Sequence, residues 1–113
     1  MQRLPKRLVD GSQLTTSAAT YYTAPSNTLT TISACTLTNT TAGAVTATVY
    51  LVPSGGSATT SNVILSARTL AAGESFNVGS AIGQTLAAGG TLQALAGSAT
   101  SIALVASGYE TNP

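Results

Sequence analysis

The sequence predicts an all-β protein: a single β-sandwich of about six to eight antiparallel strands, with either an immunoglobulin-like or a jelly-roll strand order. Three observations predict it. Segments rich in Thr, Val, Ile and Tyr recur along the chain, Gly, Pro and Asn separate them, and several alternate apolar with polar residues, as half-buried strands do. The pair Gly89 and Gly90 disfavours a helix in the Ala- and Leu-rich stretch 82–96, because each Gly costs about 1 kcal/mol in a helix interior.

The first half of the body predicts three strands. Residues 13–22 and 29–38 form the first two, and the alternation in the second changes phase at Ser33 and Ala34, which predicts a β-bulge there. The clearest strand follows the turn-forming residues 39–43. In it an apolar row alternates with a Thr and Tyr row, the apolar members being Val45, Ala47, Val49 and Leu51 and the others Thr46, Thr48 and Tyr50.

Five further segments continue the β pattern. In the strand predicted over 63–70, the apolar side chains of Val63, Leu65 and Ala67 share one face and Arg68 lies on the opposite face. Shorter strands are predicted at the end of the sequence and between its glycine turns, over residues 75–78, 84–87, 91–96 and 101–107.

Charged residues are unusually scarce. Only 6% of the 113 residues are charged, the net charge is +1, and Thr, Ala, Ser and Gly together supply 63 residues. Soluble monomers usually rely on a mixed charged surface to resist association. The composition therefore predicts surfaces that sister subunits or a larger assembly cover; the alternative is a neutral monomer with Thr-rich strand faces.

The chain divides into a basic N-terminal arm, residues 1–10, and a β-sandwich domain, residues 11–113. The arm carries three of the four basic residues, and its candidate docking residues toward an acidic neighbour are Arg3, Lys6, Arg7 and Leu8. The alternative is a partly mobile terminus. Three cations are too few to predict nucleic-acid binding, which uses a broad basic face with aromatic platforms.

The residues needed for most catalytic devices are missing. The sequence has no His, a single Cys and three side-chain carboxylates, so triads based on His are excluded and no paired or clustered metal ligands are indicated. The Gly-rich segments lack a Walker lysine. We therefore expect no enzyme, no catalytic residue, no metal and no cofactor. No secretory signal or membrane-spanning run is predicted either.

Aromatic residues offer the second candidate site. Tyr21 and Tyr22 are adjacent, and neighbours on a strand point to opposite faces, so at most one of them can join a given binding platform. The remaining tyrosines, Tyr50 and Tyr109, are interpreted as residues at the edge of the core. Tyr21 or Tyr22, with the loop 54–62, is therefore the candidate contact for a glycan or protein partner.

Several segments of the sequence, in the order in which they occur, resemble those of a known family. The stretch 10–62, which includes YYTAPSN, CTLTNTT and TVYLVPSGG, and the later segments LAAGES and SIALVASGYE together resemble small structural proteins of tailed bacteriophages. The resemblance spans most of the chain after the arm. It implies a non-enzymatic virion component assembled in the host cytoplasm: a capsid decoration or cement protein, or a head- or tail-attached subunit, often trimeric.

That resemblance implies partners as well. They are the major capsid protein, or structural proteins of the head or tail, and further copies of this chain; nucleic acid and membrane are not expected. The alternative function is a receptor- or glycan-binding module of a tail fibre or a bacterial surface protein.

Overall fold

The computed structural model describes residues 3–98 and 100–111. Within them the chain forms nine strands and one short 3-10 turn at Gly79–Ala81. The strands are β1 (Arg3–Gln13), β2 (Ala19–Thr23), β3 (Leu29–Asn39), β4 (Val45–Val52), β5 (Val63–Leu70), β6 (Ser75–Asn77), β7 (Thr85–Leu86), β8 (Thr91–Ala96) and β9 (Ile102–Thr111).

The strands build two antiparallel sheets. Sheet A has the order β1-β9-β3-β6, with β7 also paired to β3, and sheet B has the order β2-β8-β4-β5. The predicted all-β sandwich is confirmed. The chain pairs like one long hairpin that is folded on itself. From its tip outward, β4 pairs with β5, β3 with β6 and β7, β2 with β8, and β1 with β9. This rolled hairpin is the strand order of a jelly roll, so of the two predicted orders it is the one the chain adopts.

Strand bounds agree closely with the sequence prediction in the middle of the chain and less well at its ends. The bulge predicted near Ser33 and Ala34 is confirmed by a register shift between Ile32 and Ala34. The strand predicted over 13–22 is wrong in its first half, because β1 and β2 belong to different sheets. Residues 14–18 cross between the sheets, and Leu14 is fully buried on the way.

The single-face prediction for β5 is also wrong. Val63 lies opposite Tyr50 and Leu65 opposite Val49, and neighbours on β4 point to opposite faces. Val63 and Leu65 therefore lie on different faces of sheet B. Two register shifts against β4 cause the change of phase, and Ala67 has a positive φ of 45°.

The N-terminal segment is part of the sandwich. β1 runs without interruption across residues 10 and 11 and forms the edge strand of sheet A, where its partner among the described strands is β9. The described residues of the predicted arm, from Arg3 to Asp10, thus lie in a strand that pairs with the end of the chain.

At one end of the sandwich, where β3 ends at Asn39, the two sheets are joined by a buried amide side chain. We call this end the closed end. Asn39 is fully buried, and its Nδ2 donates to the Gly43 carbonyl oxygen at 2.7 Å and to that of Leu70 at 3.0 Å. Its Oδ1 accepts from the backbone N–H of Thr41 at 2.9 Å and from the Thr41 hydroxyl at 2.7 Å. Because Leu70 belongs to β5, this side chain ties sheet A to sheet B.

Candidate functional site

The opposite end of the sandwich carries the features from which a site could be built. We call it the open end: the start of β1 (residues 3–7), the start of β3 (29–32) and the end of β9 (107–111), which pair side by side in sheet A. Two of the four large apolar side chains that are exposed in the described residues lie here, Leu4 at 51% and Leu29 at 43%.

A polar cluster links the two sheets at the open end. The Tyr22 hydroxyl, from β2 in sheet B, donates to Glu110 Oε2 at 2.6 Å and lies 2.8 Å from Thr30 Oγ1, both in sheet A. Since its single proton goes to Glu110, the Thr30 hydroxyl is the donor in the second bond. Lys6 Nζ lies 3.2 Å from the same Glu110 oxygen. One carboxylate thus connects β1, β2 and β9.

Burial and the carboxylate both affect the Tyr22 hydroxyl. Desolvation, together with its hydrogen bond to Glu110, raises the pKa of Tyr22 from 10.0 to about 12. Only 7% of the residue is exposed. Tyr22 therefore stays protonated and acts as a donor to Glu110 at any physiological pH.

An outer cleft of about 320 Å³ lies on the solvent face of sheet A at the open end. Its walls come from β1, β9 and the bulge of β3, and its lining residues are Pro5, Lys6, Arg7, Ser33, Ser107, Gly108 and Tyr109. In the strand register Arg7 lies opposite Ser107, and Pro5 opposite Tyr109. Opposite residues share a face, so these side chains stand on the outer surface.

Gly108 explains why the strands come so close beside this cleft. A Cβ at this position would collide with the backbone carbonyl oxygen of Thr31 on β3, so only glycine fits. The bulge of β3 follows directly, between Ile32 and Ala34, and turns Ser33 toward the cleft. There the Ser33 hydroxyl donates to the Ser107 carbonyl oxygen at 3.3 Å.

A second concavity, the end groove, lies between the sheets. It encloses about 430 Å³ and is lined by the ends of β4 and β5 with β7 and its neighbours. Its deep residues are apolar, with Val52 1% and Leu86 4% exposed. Its rim carries uncharged hydroxyl and amide side chains, those of Ser54, Ser61, Asn62, Gln84 and Thr85.

The structure separates the four predicted docking residues. The side chain of Arg3 lies outside the described part. Lys6 is half exposed and paired with Glu110, whereas Arg7 is exposed in the outer cleft. Leu8 belongs to the buried core and is only 7% exposed, so its side chain is not available to a partner. The reason is the register shift between Arg7 and Val9, which turns Leu8 and Val9 both inward.

The two candidate tyrosines are separated as well. Tyr22 packs inward and its hydroxyl is engaged, so it offers no platform to a ligand. Tyr21 is half-buried against the core, and its hydroxyl accepts from the backbone N–H of Thr15 at 3.3 Å. Neither tyrosine lines the end groove, although the loop 54–62 that was predicted with them contributes to it.

Sequence reasoning missed the partners that complete the open end. Glu110, Tyr109 and Ser107 lie about a hundred residues from Arg7, and only the pairing of the first strand with the last brings them together. The one available signal was the phase change at Ser33 and Ala34, because bulges often re-aim side chains near functional sites.

Groups with other potential chemistry lie elsewhere. Burial raises the pKa of the Cys35 thiol to about 11, and the Glu74 carboxylate accepts from the backbone N–H of Ala71 at 2.7 Å in a turn. Among the residues that the structure describes, no group of three His, Cys, Asp or Glu side chains could hold a metal ion. No helix in the same residues is long and apolar enough to span a membrane.

Comparison with known proteins gives no relative: no family profile, no curated protein and no solved structure matches the chain.

Proposed function

We propose that this chain is a non-enzymatic structural protein of a tailed-phage particle, a capsid decoration or cement protein that binds the particle lattice and stabilises it. The observation that carries the proposal is the open end. Two exposed apolar side chains, Leu4 and Leu29, and two cations, Lys6 and Arg7, lie at this end of a protein that is otherwise almost free of charge, and Leu29 and Arg7 share its outer face. Apolar contacts combined with arginine are typical of the centre of a protein interface.

Other features support the proposal without deciding it. The order of the sequence segments resembles phage structural proteins, and jelly rolls occur in viral capsid proteins but also in lectins and cupins. The outer face of sheet A presents mainly small uncharged side chains, among them Thr36, Thr38, Ala103 and Ser107. Such a face has little charge repulsion to oppose contact with a sister subunit, and a homotrimer on the major capsid protein is the arrangement we favour.

Cosedimentation tests this function. Purified protein is mixed with heads assembled without it and, separately, with tails. We expect saturable binding to heads, competed by unlabelled protein, and heads that resist heat better once they are coated. If the protein at saturating concentration binds neither heads nor tails, the proposal is wrong. Binding to tails alone would move the proposed location from the head to the tail but keep the structural role.

A second candidate function is favoured by the end groove. The loop 54–62 lines a concavity with an apolar floor and an uncharged, hydrogen-bonding rim, which is the chemistry of a site for a neutral sugar. A glycan array with three proteins tests it. Thr85→Arg fills the groove, and Tyr21→Ala leaves it unchanged. Saturable sugar binding by the wild type and by Tyr21→Ala, lost in Thr85→Arg, would favour a receptor-binding module over a capsid protein.

A further inference from the structure

Arg7 differs from the other cations whose side chains are described. Lys6 is paired with Glu110, and the Arg68 guanidinium lies 4.0 Å above the ring centroid of Phe76 on the far edge of the sandwich. Arg7 is exposed, and no carboxylate of the described residues lies within ion-pair distance of it. Its guanidinium can therefore bind an external anion without breaking an existing ion pair.

The surroundings of Arg7 fit one kind of anion. The outer cleft adds the hydroxyl-bearing residues Ser107 and Tyr109, and none of the described residues that line it is acidic; the Ser33 hydroxyl there already donates to the Ser107 carbonyl oxygen. The planar fork of arginine binds carboxylates through two parallel hydrogen bonds. The cleft is thus a cationic, hydrogen-bonding recess that matches a single carboxylate.

Apolar side chains flank the cleft along the strands. Val105, 36% exposed, lies two residues before Ser107 on the same face of β9, and Leu29 lies opposite Thr111, two residues beyond Tyr109. The face from Val105 to Thr111 is about 20 Å long at the usual strand rise. A ligand that covers this face needs a carboxylate with apolar groups on both sides of it, spread over about this length. The surface of a protein provides such an arrangement.

We propose that the outer cleft binds the carboxylate of an Asp or Glu side chain on a partner protein through two hydrogen bonds from the Arg7 guanidinium. Apolar residues of the partner near that acid pack on Val105 and Leu29. This inference rests on the proposed lattice function and names the chemistry of the contact. It assigns Lys6 a different role, that of holding Glu110 inside the fold.

Two peptides test the site without any particle. Isotope-labelled full-length protein is titrated with acetyl-Val-Thr-Glu-Thr-Ser-Thr-Leu-amide and with the matched acetyl-Val-Thr-Gln-Thr-Ser-Thr-Leu-amide, in which Val and Leu share a face with the acid when the peptide is extended, and amide resonances are followed. We expect saturable shifts at Arg7, Ser107 and Tyr109 with the Glu peptide, at least about fivefold weaker binding of the Gln peptide, and loss of the difference in Arg7→Gln. Equal binding of the two peptides, or shifts centred elsewhere, would overturn the site.

An acidic sugar distinguishes the other source of a carboxylate. The methyl glycoside of N-acetylneuraminic acid is titrated in the same way. If this sugar shifts the resonances at the cleft and the Glu peptide does not, the assignment to a protein partner is overturned. If the Glu peptide gives saturable shifts and the sugar gives none, the assignment is supported.

Particle binding then separates this inference from the function on which it rests. Arg7→Gln and Arg68→Gln each remove one exposed arginine, and thermal unfolding checks that both variants fold. We expect Arg7→Gln to weaken binding to heads by about tenfold or more and Arg68→Gln by less than about twofold. Equal binding of both variants would overturn the inference and leave the lattice function standing. If wild-type protein binds neither heads nor tails, the proposed function is overturned, and the peptide titration alone tests whether the cleft binds a carboxylate.

Discussion

The two ends of β3 are built on opposite principles. At the closed end, Asn39 is neutral and fully buried, and its amide makes four hydrogen bonds. At the open end, Thr30 joins a cluster that includes the side chain of Glu110, a half-exposed Lys6 and Tyr22. A neutral buried amide contributes stability only, whereas exposed charge and apolar surface are what a partner can bind. This difference is why we propose that a partner binds at the open end.

The largest expected loss of stability comes from breaking the closed end. Asn39→Ala leaves the Leu70 carbonyl oxygen and the N–H of Thr41 without their partner, whereas the Gly43 carbonyl oxygen keeps the Thr41 hydroxyl as a donor. Each buried polar group left unpaired costs about 1–3 kcal/mol, so we expect the free energy of unfolding to fall by about 3 kcal/mol or more. Urea denaturation measures it.

Thr40→Ala is the matched control for that change. Thr40 is the exposed neighbour of Asn39, and its hydroxyl makes one bond, to the Ser101 carbonyl oxygen at 3.1 Å. We expect a loss below about 1 kcal/mol. Similar losses for the two variants would contradict the role given to Asn39.

The next largest effect is expected at the open end. Tyr22→Phe keeps the buried ring but removes the hydroxyl that joins Glu110 and Thr30. Hydrogen bonds to a charged group are worth about 1.5–3 kcal/mol, and Glu110 retains Lys6, so we expect a loss of about 1–2 kcal/mol. Tyr21→Phe, which removes one longer bond of 3.3 Å, is the control and should cost clearly less. If the two losses are equal, Tyr22 does not link the sheets as described.

Alkaline pH provides a second test of the open end. The pKa of Tyr22 is raised to about 12 in the folded protein from 10.0 for the free side chain. The unfolded chain therefore loses this proton first, so the contribution is intact below pH 10 and is lost as pH rises from 10 to about 12. Tyr22→Phe should flatten this part of the stability profile.

Cys35 adds a separate alkaline window that must be removed by mutation. Its thiol has a pKa of about 11 in the core and 9.0 as the free side chain, so it lowers stability between pH 9 and 11. Cys35→Ala should abolish this earlier decline and keep the later one. A single decline unaffected by either variant would contradict both assignments.

Local patterns were enough to predict the strands in the middle of the chain. The alternation from Val45 to Leu51 after the turn residues 39–43 predicted β4, and the phase change at Ser33 and Ala34 predicted the bulge of β3. Strand order was beyond reach, because jelly-roll and immunoglobulin-like sandwiches have the same periodicity. The pairing of β1 with β9 depends on contacts about a hundred residues apart.

The candidate site was predicted in part for the same reason. Arg7 was identified from the basic composition of its segment, but Leu8 was misplaced since the irregular register of β1 turns it into the core. Tyr22 was chosen as an aromatic, and its buried hydroxyl became visible only once Glu110 was placed beside it. Asn39 was predicted only as one of the turn-forming residues 39–43, whereas its amide is buried and fully engaged.

The smallest expected effect separates the exposed part of the cluster from its buried part. Lys6 is half exposed, so its pair with Glu110 is worth less than about 1 kcal/mol, and Lys6→Gln should destabilise by no more than that. At 1 M salt the Debye length falls from about 10 Å to about 3 Å, so this small difference from the wild type should vanish. The loss in Tyr22→Phe should persist, because its hydroxyl is shielded from solvent ions. If salt removed both losses equally, the open end would be held by screened surface charge, and its contrast with Asn39 would be sharper still.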